Sequence, residues 1–156
     1  MDNRDLENIR EMFQMIVRRF GLLQREGAQC CGISLAHSHI LYEINKSPGI
    51  TVNELAAVLG LDKSTTSRHV QALTGEGLVE GRPSEEDRRY LNLVLTEKGR
   101  ELQSRIAVQM AGFIREILEF IPQDKRDEVV RSIGLLSKAM RQSTLSASSS
   151  LGCCTL

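Results

Sequence analysis

The sequence has 156 residues, with 20 Lys and Arg against 20 Asp and Glu, and 41% of its residues are hydrophobic but only 4% aromatic. That length fits one compact domain or two small subdomains, and 12 glycines, 3 prolines and a near-average apolar fraction exclude collagen-like, low-complexity and wholly disordered classes. A net charge of zero excludes a surface coated in positive potential, so any contact with nucleic acid must be local.

The longest apolar stretch, Leu55 to Leu61, falls far short of the roughly 18 residues that span a bilayer. The first residues, MDNRDLENIREM, are charged throughout and lack the apolar centre of a secretory signal. The expected location is therefore cytoplasmic, with no membrane partner and with reduced thiols.

In chain order, the first element is a helix over residues 4 to 26. Its apolar positions Leu6, Ile9, Phe13, Ile16, Phe20 and Leu23 share one face. Ser34 caps a helix running through Asn45, and the S-P-G at 47 to 49 is a turn. Thr51 with Glu54 forms a capping box for a short helix whose inner face is Leu55, Ala56 and Leu59. Gly60 closes that helix, Leu61 turns inward, and Asp62 caps the next helix through about Leu73.

Leu78 to Arg82 and Tyr90 to Leu95 read as two strands joined by the polar loop PSEEDRR, with Leu91, Leu93 and Leu95 on one face. Thr96 caps a long helix with two adjacent apolar stripes, one through Ile106, Met110, Phe113, Ile117 and Phe120, the other through Ala107, Ala111, Ile114, Leu118 and Ile121. A helix apolar on two sides is expected to be buried on two sides. Pro122 ends it, and a last helix from about Asp124 carries the stripe Val129, Ile133, Leu136 and Met140. The first and the last two helices offer more apolar surface than one chain of this size uses, which points to a homodimer. The serine-rich segment 143–156 is expected to be a flexible tail.

The expected fold class is thus mainly α with a small β-wing: a winged helix-turn-helix over 34–95, and a helical dimerisation region over 1–33 and 96–142. On the helix starting at Asp62, Thr66, Val70 and Leu73 cluster on one side, with Ser64, Arg68 and Gln71 opposite. Arginine is the side chain that best reads guanine in the major groove. Lys63, Thr65 and Ser67 flank that face and suit phosphate contacts, aided by the positive end of the helix dipole. His69 lies toward the core. In the loop, Arg88 and Arg89 can reach a narrow minor groove, with Asp87 pairing to an arginine and holding the loop. The same residues also fit a solvated amphipathic helix and a charged hairpin that keeps a sheet edge soluble.

The run TVNELAAVLGLDKSTTSRHVQALTGEGLVEGRPSEEDRRYLNLVLTEKGRE resembles the DNA-binding core of the MarR-type bacterial transcription regulators, including their D-R-R wing and the L-T-E-K-G after the second strand. The likeness covers about residues 4 to 142. It implies an obligate homodimer that interlocks through its first and last helices, and two winged domains that read a pseudo-palindromic double-stranded operator. It also implies repression that a small effector releases, often an aromatic compound. The implied DNA contacts fall on Ser64, Thr65, Ser67, Arg68 and Gln71, and on Asp87, Arg88 and Arg89. Thr66 stands where the family more usually has an apolar residue.

The four cysteines form two adjacent pairs, Cys30-Cys31 and Cys153-Cys154. Adjacent cysteines rarely bridge each other, whereas vicinal thiolates suit soft ions and oxidants. Cys30-Cys31 falls between the first helix and Ser34, and the tail would let Cys153-Cys154 fold back to complete a three- or four-sulfur site. The candidate effectors are As(III), Hg(II), Cu(I) or Zn(II), or an oxidant; against this, the cysteines can be simply core. His37 and His39 could lend a nitrogen to zinc, although their spacing on a helix lets at most one join.

No nucleotide-binding, nucleophile-elbow or zinc-protease motif is present, and the acids at 85 to 87 share one loop, so an enzyme is not expected. Two classes compete with a specific regulator: a thiol-rich metal-binding protein on a winged fold, and a non-specific architectural DNA binder. A regulator of a small aromatic ligand with structural cysteines also fits the sequence.

Overall fold

The computed structural model describes residues 2–83 and 91–142. Among the described residues there are six helices and one antiparallel ribbon, in the order α1 (Asn3–Cys30), α2 (Leu35–Lys46), α3 (Val52–Leu59), α4 (Lys63–Gly75), β1 (Val79–Pro83), β2 (Leu91–Leu95), α5 (Glu97–Glu119) and α6 (Arg126–Gln142). The chain divides into two compact units, residues 1–113 and 114–156.

The first unit is built on α2, whose Ile40, Leu41 and Ile44 are fully buried. Around them gather Leu55 from α3, Val70 and Leu73 from α4, Leu78 from the turn before the ribbon, Val79, Leu93 and Leu95 from the ribbon, and Leu102 from α5. Full burial of one such side chain stabilises by about 1.5–3 kcal/mol.

Local chemistry sets where these helices begin. The Ser34 hydroxyl accepts the His37 N–H at 3.1 Å. At α3, Glu54 Oε2 accepts the Thr51 N–H at 2.8 Å, while Thr51 Oγ1 accepts the Glu54 N–H at 3.3 Å, so both orphan donors are satisfied. Gly60 ends α3 in the left-handed region at φ 66°, which lets the Leu61 N–H reach back to the Ala56 carbonyl at 3.0 Å. Leu61 does not turn inward as the sequence suggests. It is 39% exposed, because the caps on either side fix its backbone and leave its side chain outside the core.

In the ribbon, Val79 pairs with Leu95, Gly81 with Leu93 and Pro83 with Leu91. Leu93 and Leu95 are buried, but Leu91 is 51% exposed, lying over Gly81 beyond the end of the core. On the other edge of β2, Ile50 forms a bridge with Leu93, whose N–H donates to the Ile50 carbonyl at 3.0 Å.

Helix α1 runs past residue 26, because nothing in Gly27-Ala28-Gln29 stops it before Gly32 at φ 78°. Gly27 and Ala28 are buried, and a Cβ on Gly27 would sit 3.4 Å from Met110 Sδ, so small residues let α1 approach α5 closely. Cys30 is the last helical residue and Cys31 the C-cap, so the pair belongs to the helix end rather than to a separate linker.

In the second unit, Pro122 is extended at φ −50°, ψ 136°, and a single 3-10 turn over Gln123–Lys125 precedes α6. The last helix therefore starts two residues after the position expected from sequence. The Arg126 guanidinium donates to the Ile121 carbonyl at 3.0 Å and closes the turn. In the single chain Ile114, Ile117, Ile133, Leu136 and Met140 are exposed, and Phe120 is 86% exposed, so members of both stripes expected of the long helix and of the one stripe of the last helix are left open.

Candidate nucleic-acid interface

Helix α4 is held from below by Thr66, Val70 and Leu73, all buried. This spacing turns Lys63, Ser64, Arg68 and Gln71 outward, where all four are exposed, and leaves Thr65 and Ser67 half-buried at the flank. The structure thus brings these six candidate residues together on one helix. Asp87, Arg88 and Arg89 lie outside the described residues, as do Cys153 and Cys154.

The first turn of α4 is organised by Asp62. Its Oδ1 accepts from Ser64 Oγ at 2.6 Å and from the Thr65 N–H at 2.8 Å, and its Oδ2 accepts from Thr65 Oγ1 at 2.7 Å. The Ser64 and Thr65 hydroxyls, with the Thr65 N–H, hold this carboxyl well below the usual carboxylate range. The helix N-terminus is therefore engaged by the carboxylate of Asp62, the cap expected from sequence, which leaves Thr65 less open to a phosphate than the sequence suggests. Arg68 folds back along the same face, with Nε 3.4 Å from the Ser64 carbonyl and Nη2 3.5 Å from Ser64 Oγ. Both contacts are at the long limit, so the guanidinium is readily released.

The far end of α4 is clipped to α5. Thr96 Oγ1 donates to the Gly77 carbonyl at 2.7 Å, the Thr96 N–H to the Leu78 carbonyl at 3.1 Å, and Lys98 Nζ to the Glu76 carbonyl at 2.8 Å. Thr96 Oγ1 also accepts the Gly99 N–H at 3.0 Å, so the expected cap is present and serves a second purpose. Of these residues the sequence points to Thr96 alone; the T-E-K-G string is the available signal for Lys98 and Gly99.

His37 of α2 meets His69 of α4 through an edge-to-face ring contact, a pairing that is not legible from sequence. His39 Nε2 is buried with no hydrogen-bond partner. Cys30 is exposed and Cys31 half-buried, with the Cys31 thiol 3.9 Å from Gln109 Oε1 on α5. Among the described residues no group of three or more His, Cys, Asp or Glu is placed to hold a metal ion. Nor is any helix among them long and apolar enough to cross a membrane.

A family model described as the MarR family matches residues 32–89, which takes in α2, the α3–α4 pair and β1. Over that segment the chain is similar to the MarR family. The HTH-type transcriptional regulator PetP of Rhodobacter capsulatus is 40% identical over 84 residues, 51% of this chain and 51% of PetP, so the match spans about half the length of that relative. The transcriptional repressor MprA of Escherichia coli is 28% identical over 102 residues, covering 65% of this chain and 58% of MprA. The fold matches a MarR family protein from Bacillus stearothermophilus with a TM-score of 0.85 at 20% identity, over 91% of this chain and 99% of that one. That likeness carries the MarR winged-helix fold, mainly helical with one small antiparallel ribbon.

Proposed function

We propose that the protein is a homodimeric, sequence-specific DNA-binding repressor in which residues 34–95 read a pseudo-palindromic operator and residues 1–33 and 96–142 form the dimer. The observation that carries this reading is the α4 face. Arg68, Gln71 and Ser64 stand exposed on a helix fixed from beneath by Thr66, Val70 and Leu73, a geometry suited to entering the major groove. The exposed apolar side chains of α1 (Leu6, Ile9, Ile16) and of α6 (Ile133, Leu136) support a dimer that covers them. The names of the matched relatives, a transcriptional regulator and a repressor, support regulation rather than catalysis.

The test is fluorescence-polarisation titration against a duplex from the protein's own upstream region and a scrambled duplex, with the mass in solution measured by light scattering. Selective binding by a dimer is the expected result. Equal affinity for both duplexes, or a monomer that binds neither, would refute the reading.

A second reading concerns the effector. The Cys31 thiol sits where α1 ends and touches α5, beside the exposed Cys30, so a group added there acts at the junction between helical region and winged core. We infer release by a soft, thiophilic effector: As(III), Hg(II), Cu(I), Zn(II) or an oxidant. As(III) hydroxide would exchange two hydroxides for two thiolates and release two waters. Loss of DNA binding on adding stoichiometric As(III), abolished in Cys30→Ser and Cys31→Ser, is the expected result. Unchanged binding would leave a different small effector to be sought.

A further inference from the structure

The hydrogen-bond polarity at the start of α4 is fixed, and it constrains what that end of the helix can recognise. An ionised carboxylate has no proton to donate, so at Asp62 both hydroxyls must be the donors. Ser64 Oγ–H is directed to Oδ1 at 2.6 Å and Thr65 Oγ1–H to Oδ2 at 2.7 Å. Each hydroxyl has one proton, and both are committed. What Ser64 presents outward is lone-pair density, and its one further contact agrees: Arg68 Nη2 donates toward it at 3.5 Å.

In the major groove, adenine N6 and cytosine N4 are the base-edge donors, whereas guanine and thymine offer acceptors only. An acceptor-only hydroxyl facing guanine O6 or thymine O4 sets lone pair against lone pair. Ser64 and Arg68 are four residues apart on one exposed face, so they address neighbouring base pairs. For the same reason Thr65 is not a hydroxyl donor to phosphate, which leaves that part to Ser67 and to Lys63, exposed as the first residue of the helix.

We propose that Asp62 fixes Ser64 as an obligate hydrogen-bond acceptor, making Ser64 a specificity-determining residue that selects adenine or cytosine beside the guanine taken by Arg68. The inference rests on the DNA-reading function proposed for α4 and adds to it a stated base preference and the residue that imposes it. Asp62 itself is a positioning residue, acting on DNA only through Ser64 and Thr65.

The test uses the full-length protein to select duplexes from a randomised pool, followed by polarisation titrations of the selected site and its single-base variants. Asp62→Gly is the informative substitution. Glycine is also accepted at an N-cap, and without the carboxylate both hydroxyl protons are released, whereas in Asp62→Asn the oxygen that keeps the Thr65 N–H also keeps the Ser64 O–H, and only the Thr65 hydroxyl is freed. Wild type should select adenine or cytosine next to a guanine whose preference Arg68→Ala abolishes. Ser64→Ala, which leaves the Asp62 to Thr65 cap in place, should lose the adenine or cytosine preference about tenfold and keep that for guanine. Asp62→Gly should admit guanine or thymine at the Ser64 position, with discrimination reduced about tenfold.

Unchanged discrimination in Asp62→Gly or in Ser64→Ala, or a wild-type preference for guanine or thymine at that position, overturns the inference while leaving specific DNA binding intact. A wild-type protein that enriches no sequence overturns both, so the two failures are distinct.

Discussion

The imidazole rings of His37 on α2 and His69 on α4 meet edge to face, with centroids 5.3 Å apart and planes at 86°. Partial burial holds the His37 pKa below the usual 6.5, the charge that His69 can acquire lowers it further, and Glu76 acts in the opposite direction. The folded protein therefore takes up this proton less readily than the unfolded chain. The contribution to stability is complete above about pH 6.5 and is lost as pH falls from there toward the folded-state value. Urea midpoints at pH 7.5 and 5.5 should show a larger acid loss for wild type than for His37→Asn. Equal losses would mean that the ring contact has no part in acid sensitivity.

Gly99 has no room for a side chain. A Cβ built there falls against the Leu78 carbonyl oxygen, a backbone atom already accepting from the Thr96 N–H. Gly99→Ala should therefore destabilise the fold by about 3 kcal/mol, at the upper end of overpacking effects. Gly75, at the last position of α4 with open space around it, gives the contrast. Gly75→Ala should be neutral or stabilise by up to about 1 kcal/mol. Denaturant titration of both variants would reveal an error in this placement if Gly99→Ala proved as mild as Gly75→Ala.

Thr66 is fully buried, and its hydroxyl donates to the Asp62 carbonyl at 3.0 Å, an oxygen that also accepts the Thr66 N–H at 3.1 Å. Removing the hydroxyl leaves no orphan, so Thr66→Val should fall within about 1 kcal/mol of wild type, on the stabilising side. Thr66→Ser keeps the hydroxyl but removes the buried methyl, and should cost about 1 kcal/mol. The opposite order of thermal midpoints would show that the hydroxyl carries more than its local bond.

On the α4 face, Arg68→Ala should weaken binding to the selected duplex by about 1–3 kcal/mol and relax preference at one base pair. Lys63→Ala should weaken all duplexes alike and reduce the slope of log affinity against log salt by about 1. If Lys63→Ala alters the preferred sequence instead, the division of labour between these two side chains is reversed.

Features fixed by neighbours in sequence are the legible ones. The caps at Ser34, Thr51 with Glu54, and Asp62 depend on residues three apart, and the two faces of α4 follow from helical period alone. Leu61 and Leu91 mislead because hydrophobicity does not say where a core stops. Leu61 is held outside by the caps around it, and Leu91 lies past the last buried pair of the ribbon. The Ile50 bridge to Leu93, the His37 contact with His69 and the Lys98 bond to the Glu76 carbonyl join segments that only the tertiary fold brings close. Asp62 is legible as a cap, but its hold on two hydroxyls depends on rotamers, which periodicity does not encode.

The bonds from Thr96 and Lys98 to the carbonyls of Glu76, Gly77 and Leu78, with Gly99 in contact beneath them, leave no slack between the end of α4 and the start of α5. That junction behaves as a weld rather than a hinge, and α5 becomes a lever fixed to the α4 face. From Glu97 to Phe113 the lever arm is about 25 Å, so a sideways displacement of about 2 Å at Phe113 is a rotation of about 5° at the weld. On the regulatory reading proposed above, an event at Gln109 beside the Cys31 thiol would reach Arg68 as a change of aim.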